Sequence, residues 1–370
     1  MKTVMALMTI GLFSLPAVAS DAYGDPFEGW GFVKDDWQVV CDNTLTCRAA
    51  GYADDDQWDR PISILLTAIP KEALPTGLVQ FLPEVSEKSQ NNVALWLNGK
   101  NYGRLQPSSD GGLYDLTAKQ TNSLINSARL NTKIEIKAGD ESWTVSDKGM
   151  GAVLLKLDEV QGRVGTPIAL VSKNAPRSQA PKADKPKPVI KKAFAYSDKD
   201  NKQLNASRLA YFQKNISQWV GVGSEKLIGS QDVMEECELI DPNSDAAINF
   251  AKYDAELSNW DFTPIDANHT LASHVCWRGA YNAGYGYWLI DHKRPHHPRL
   301  ITTAGNNYFE GEISATHKDR GIGDCWSSES WSWDGKKFVR SGQFTTGMCR
   351  GFAGGAWDLP SYVSEVIESD

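Results

Sequence analysis

Past its first nineteen residues the chain has no apolar run approaching the roughly 20 residues a membrane helix needs, so no membrane span is expected. It has no Cys-x-x-Cys pair, the spacing on which thioredoxin-like redox sites and many zinc sites depend, and neither a cofactor nor a metal is expected. Positive charge is short: 38 Lys and Arg stand against 46 Asp and Glu, a formal net charge of −8 with pI near 5.4. A phosphate backbone wants a basic surface, so nucleic acid is not an expected partner. There is no G-x-S-x-G elbow, H-E-x-x-H, P-loop, S-x-x-K or calcium loop of the EF-hand kind. A triad need not be local in sequence, so these gaps leave catalytic residues unassigned without excluding an enzyme. No repeat of fixed period occurs.

What is present begins with a leader. Lys2, an apolar run from Val4 to Leu15, and Ala17-Val18-Ala19 have the three-part layout of a secretory signal peptide; cleavage after Ala19 and a periplasmic mature chain are expected. The remaining length of about 350 residues exceeds one ordinary core and argues for two domains. Six cysteines behind a leader, Cys41, Cys47, Cys237, Cys276, Cys325 and Cys349, read as three disulfides formed in an oxidising compartment. Pairing within domains leaves three connectivities, of which local closure favours Cys41 with Cys47, Cys237 with Cys276, and Cys325 with Cys349.

Between the domains, residues 172–192 (SKNAPRSQAPKADKPKPVIKK) are Pro, Lys and Ala with almost nothing to bury. They read as a basic polyproline II spacer whose reach is at most roughly 65 Å. Before it, Trp37–Cys41 and Cys47–Tyr52 alternate like strands around Asp42-Asn43-Thr44, a stapled hairpin. Strands are expected at 62–69, at 93–97 ahead of an Asn98-Gly99 turn, and at 133–137. Helices are expected at 116–128 behind Thr117 and at 150–160. After the spacer come a helix near 205–218 and strands at 250–257, 270–276, 285–291, 300–303 and 308–317. The stretch 323–344 (GDCWSSESWSWDGKKFVRSGQF) closes the series as a hairpin. With Asp334-Gly335 as a two-residue loop, Trp331 falls opposite Phe338, and Ser330, Ser332 and Lys337 face the wet side. Thirteen Trp suit either sugar binding or an all-β core, and core filling is the expectation.

DWQVVCDNTLTCRAAGY (36–52), LLKLDEVQGRVGTP (154–167), RGAYNAGYGYW (278–288) and GIGDCWSSESWSWDGKKF through TTGMCRGFAGGAWDLP (321–360) carry a family resemblance. Over essentially the whole mature length the chain resembles domain of unknown function 1176, bacterial secreted proteins with six characteristic cysteines. That family brings no catalytic residue with it. The first domain, opening on Trp37-x-Val39-x-Cys41, is also similar to the invasion-associated locus B family. That resemblance implies a β-sandwich and an envelope role.

Candidate chemistry is sparse. Tyr281, Tyr285, Tyr287 and Trp288 among Gly279, Gly284 and Gly286 form a candidate aromatic ligand surface, or a glycine-rich sheet corner. His317, Asp319, Arg320 and Asp324 are the densest titratable cluster, suited to a general base or to a salt-bridged loop. His292, His296 and His297 lie in a Pro-stiffened loop, where a solvated loop is expected over a metal site. Asp54, Asp55, Asp56 and Asp59 lack the glycine and glutamate of a regular calcium loop and read as an exposed acidic turn. Asn205, Asn215 and Asn268 head N-x-[ST] triplets, which carry no meaning in a periplasm.

The expected architecture is mainly β with a few short helices: a β-sandwich-like domain over residues 20–171 and a disulfide-stapled, antiparallel β-rich domain over 193–370. The expected function is non-enzymatic binding of, or interaction with, an envelope component, protein or glycan. The alternative is a periplasmic hydrolase with its site near His317 and Asp324. Because residues 172–192 present several Lys bonds and bury little, brief trypsin treatment is expected to yield two stable fragments on a gel. Earlier cleavage inside either half would move the boundary.

Overall fold

The computed structural model describes residues 30–57, 59–84, 92–109, 111–177, 180–200, 202–222, 237–252 and 259–368. The expected signal peptide lies outside them. The first half begins with β1 (Trp30–Lys34), β2 (Trp37–Cys41), β3 (Cys47–Tyr52), β4 (Ile62–Ala68) and β5 (Thr76–Phe81), each antiparallel to the one before. With β8 (Gln106–Pro107) and β9 (Tyr114–Leu116) they form a seven-stranded sheet. A second sheet of β6 (Ala94–Leu97), β7 (Lys100–Arg104), β10 (Ile134–Ala138) and β11 (Glu141–Val145) runs in the order β11-β10-β6-β7. Val39, Ile64 and Val79 of the first sheet and Leu95, Ile136 and Trp143 of the second share one buried cluster, as in a sandwich. Helices α1 (Ala118–Ser127) and α2 (Met150–Val160) close that cluster with Leu124, Val153, Leu154 and Leu157.

Local chemistry explains these elements. Asn98 and Gly99 take φ of +50° and +77°, the double positive turn that Asn-Gly favours. Thr117 and Gln120 cap each other's backbone amides at the start of α1. Cys41 and Cys47 sit opposite in the β2–β3 ladder and are bonded, while Asp42 closes the loop by accepting from Thr44 N at 2.9 Å and pairing with Arg48 at 2.8 Å. After α2 the buried Asp158 carboxylate accepts from Leu170 N (2.8 Å), Val171 N (3.1 Å) and Ser172 Oγ (2.7 Å) and so fixes where the chain leaves the first half.

The stretch 172–192 opens with a turn in which Ala175 N donates to Ser172 O at 3.1 Å, and its described residues are not a free spacer. Lys182 N donates to Gln161 O at 2.9 Å and Lys185 N to Thr44 O at 3.1 Å. Then β12 (Val189–Lys192) pairs in parallel with β22 (Glu365–Glu368) near the C-terminus. Apart from Ile190, which is buried on β12, the segment has little to bury and is held through its backbone amides.

The second half has three layers. Helix α3 (Ala206–Trp219) places Phe212, Ile216 and Trp219 on one face of a four-stranded antiparallel sheet. That sheet is β13 (Asp261–Pro264), β14 (His269–Arg278), β15 (Ala283–Asp291) and β16 (Arg299–Gly305). Its other face meets a five-stranded sheet of β17 (Asn307–Phe309), β18 (Glu312–Lys318), β19 (Trp326–Trp333), β20 (Phe338–Thr345) and β21 (Leu359–Val363) across Leu271, Leu289, Ile313, Trp331 and Trp333. The Cys237–Cys276 and Cys325–Cys349 bonds complete the expected pairing.

Three sequence expectations are corrected. Phe250 and Ala251 end helix α4 (Asp245–Ala251), whose N-cap Ser244 accepts from Ala247 N at 3.1 Å; residues 253–257 of that expected strand lie outside the described residues. The stretch 308–317 is two strands, because Glu310 and Gly311 take φ of +44° and +81° and turn the chain back. In the Trp hairpin it is Trp333, not Trp331, that faces Phe338, and Trp331 faces Arg340. The loop is wider by two residues because the Asp334 carboxylate accepts from both Lys336 N and Lys337 N at 2.8 Å, ending the ladder at Trp333. A slip of two keeps every side chain on its expected face, so Trp331, Trp333 and Phe338 remain buried together; Ser332, expected on the wet side, is buried as well. Trp333→Ala is expected to cost about 3–5 kcal/mol in urea unfolding, against about 0.5 kcal/mol or less for Lys336→Ala at the exposed tip.

Candidate functional site

The two halves are in contact along a seam, where Phe352, Ala356, Trp357 and Leu359 cover Val40, Ala50, Tyr52 and Leu65 on the outer face of the seven-stranded sheet. At one edge of the seam, Asp54, Asp55 and Gln57 of the first half face Arg320, Ile322, Arg350 and Gly351 of the second across a cleft of about 260 Å³. Cys349, bonded to Cys325, lines it as well. That crosslink brings the two loops together, so that Gly351 N donates to Asp324 Oδ2 at 2.8 Å while the Arg320 guanidinium reaches the same carboxylate, Nε to Oδ1, at 2.6 Å.

Arg350 ties the halves together. Its side chain is 11% exposed, with Nη2 2.9 Å from Asp36 Oδ1 and Nη1 3.1 Å from Asp55 Oδ1. Asp36 occupies the two-residue turn between β1 and β2, and Asp55 lies in the acidic loop after β3. Lys148 Nζ holds Asp54 at 2.6 Å and raises its own affinity for a proton in doing so. The bond from Lys148 keeps the Asp54 carboxyl below the usual range. For Asp324 burial works against ionisation, but the Arg320 and Gly351 hydrogen bonds and the guanidinium charge outweigh it, and this carboxyl too is held low. At neutral pH the cleft therefore offers fixed, paired charges beside Ile322, an apolar side chain 72% exposed at its lip.

The expected site residues are distributed as follows. Trp288 packs on the helix side of its sheet, 5.2 Å from Trp260, while Tyr285 and Tyr287 belong to the core between the sheets. Burial pushes the Tyr287 phenol up to about 12. Only Tyr281 is well exposed, with its ring over Gly321. Strand alternation puts Trp288 on the face opposite Tyr285 and Tyr287, so the four do not share one surface. Gly284 and Gly286 make room for indoles: a Cβ on either would lie within 2.3 Å of the Trp277 or Trp288 ring.

His317 and Asp324 are held by different partners. His317 Nε2 meets the Ala304 carbonyl at 2.7 Å and must carry the proton there, whereas Asp324 is taken by Arg320 and Gly351. Asp319 meets Ser327 Oγ at 3.4 Å. His292 has both ring nitrogens engaged, with Arg208 and with Thr270 at 2.9 Å each, and burial followed by the Arg208 charge favours its neutral form. The His296 and His297 rings lie side by side, 4.3 Å apart. Among the described residues one trio has metal-ligand types within 4.8 Å, Asp324 with Cys325 and Cys349, and there the two sulfurs are bonded to each other. Asn205 caps α3. Asp36 and Arg350 were not singled out from the sequence; their only signal is their place within the two cysteine-bearing motifs.

Stability from the Asp324 pair follows from these shifts. A carboxyl depressed in the folded state, from an ordinary value of 3.8, stabilises the fold above that value and ceases to as pH falls through the lower, folded value. Urea midpoints are expected to drop steeply below about pH 4, and Asp324→Asn to flatten that limb while lowering the plateau.

Among curated proteins and solved structures nothing matches the chain. A family model described as Protein of unknown function (DUF1176) matches residues 32–364, the span that holds the whole seam and all six cysteines, and the chain belongs to that family.

Proposed function

We propose that this chain is a periplasmic protein with a non-enzymatic binding or interaction role in the cell envelope, and that its ligand, protein or glycan, seats at the seam cleft. The leader and the three disulfides support an oxidising, extracytoplasmic location. Among the described residues no helix is long and apolar enough to cross a membrane. Two β-rich units, residues 20–171 and 193–370 with 172–192 between them, belong to the same proposal.

One observation carries the reading. Arg350 is anchored from within by Asp36, while its other terminal nitrogen is met by Asp55, 81% exposed on its side chain. A guanidinium held from within, whose Nη1 makes no hydrogen bond among the described residues and meets only an exposed carboxylate, is a preorganised recognition group for a ligand acceptor. Ile322 beside it supplies apolar contact at no charge cost.

The test uses Ile322→Glu, an exposed position whose change leaves the fold intact. Wild-type protein incubated with periplasmic extract and, separately, with sedimented peptidoglycan is expected to retain a ligand that the variant loses at equal thermal midpoint. Equal retention by both proteins would remove the cleft from the proposal.

A further inference from the structure

A second hollow, of about 330 Å³, lies in the C-terminal half away from the seam, where the chain after β12 crosses the edges of both sheets. Tyr196, Lys202 and Gln203 form one wall, and Tyr308, Phe309 and Glu310 of the β17–β18 hairpin form the other. The walls are fixed. Tyr196 N donates to Ile265 O at 2.8 Å, and Ser197 N and Oγ donate to Asp200 at 2.7 and 2.9 Å. The Tyr308 ring leans on Phe338 at 6.3 Å, and its oxygen accepts from Gly311 N at 3.2 Å.

Its rim is unusual for this chain. The large aromatic side chains are mostly core, yet Phe309 is 58% exposed and Phe194, edge-on to Tyr196 at 5.7 Å, is 66% exposed. Two exposed Phe beside one hollow mark a contact surface rather than scattered apolar exposure. Between them stand donors and acceptors of both kinds: the Lys202 ammonium, the Gln203 amide, the Glu310 carboxylate and the hydroxyls of Ser197 and Thr263. Burial pushes the Tyr308 phenol up to about 12, so it keeps its proton and has an O–H to donate.

We propose that this hollow binds a neutral saccharide chain, with a pyranose ring stacked on Phe309 and its hydroxyls held by Lys202, Gln203 and Glu310. A pyranose offers apolar C–H faces to an aromatic ring and alternating donors and acceptors around its edge, the combination that these walls present. Lys202 and Glu310, one of each sign, are the charged residues of its lining, which favours an uncharged ligand. A peptide adding as a strand is the less suited occupant: β17 offers three residues of edge, and β13 ends in Pro264, which has no N–H to give. This site goes beyond the seam cleft and shares no residue with it.

The experiment is calorimetric titration of the full mature protein with maltotetraose and with chitotetraose, backed by saturation-transfer NMR. Binding of at least one is expected, weakened about tenfold by Phe309→Ala with an unchanged thermal midpoint, and retained by Ile322→Glu. Lys202→Ala, a second exposed position, is expected to weaken it as well. No binding of either saccharide at millimolar concentration would overturn the proposal, as would equal binding by Phe309→Ala or preferential binding of an uncharged tetrapeptide. Retention in Ile322→Glu separates this site from the seam, so either reading can fail alone.

Discussion

The Trp357 indole, seated on the outer face of the seven-stranded sheet, is the contact on which the arrangement of the whole molecule depends. Its Nε1 donates to Ser63 Oγ at 2.7 Å, and that hydroxyl donates onward to Gly51 O at 2.9 Å. Around it Phe352, Ala356 and Leu359 cover Val40, Tyr52 and Leu65, so the central strands of the first sheet are buried on both faces. Phe352, Ala356 and Trp357 are presented by one loop, 346–358, which the Cys325–Cys349 bond holds against the five-stranded sheet, and Leu359 opens β21. The close approach is demanding. A Cβ on Gly347, at φ +92°, would lie 2.2 Å from the Tyr52 oxygen, and that oxygen instead accepts from Gln38 Nε2 at 2.8 Å and Met348 N at 3.3 Å. Burial is the main influence on the Tyr52 phenol and raises its pKa, so it stays a neutral donor and acceptor inside the seam.

Polar groups then set the register of one half on the other. Asn43 donates to Val363 O at 3.0 Å and accepts from Val363 N at 2.7 Å, a two-way backbone mimic that aligns the first hairpin with β21. Arg350 and Asp36 do the same at the cleft. Desolvating such a pair offsets much of its Coulomb gain, and its clearer effect is specificity, because a shifted docking would leave both charges buried and unpaired. The same pairing gives the cleft its chemical character: charges positioned before any ligand arrives, so little ordering cost remains at binding.

Much of the local structure was readable in the residues. The Thr117 cap, Asn98-Gly99 and the Cys41–Cys47 spacing each act within a few residues of chain, and the structure matches them. The continuous apolar run at 62–68 also carried its meaning, since a strand that does not alternate is one covered on both faces. Where side-chain chemistry competed with the ladder, the sequence misled. Asp334 draws two backbone amides to itself and widens the hairpin loop, and a capping serine starts a helix that takes in Phe250 and Ala251, where a strand was expected to begin. The aromatic quartet was legible as a glycine-rich sheet but not as two separate faces, because the choice between core and surface depends on which layers lie above and below.

By itself the sequence determined the β-rich character, the Cys41–Cys47 staple and the position of most elements, because hydrophobic period, turn chemistry and caps are short-range forces written in neighbouring residues. Only the tertiary structure decided that residues 172–192 dock through their backbone, that Asp36 and Asp55 meet Arg350, and that Tyr196 and Phe309 flank one hollow. The partners of Arg350, and Tyr196 with Phe309, are separated by more than a hundred residues of chain, and no local rule specifies them. The contacts of Arg350 arise when two-sided burial of the first sheet selects the one docking that satisfies its apolar face and its charges together.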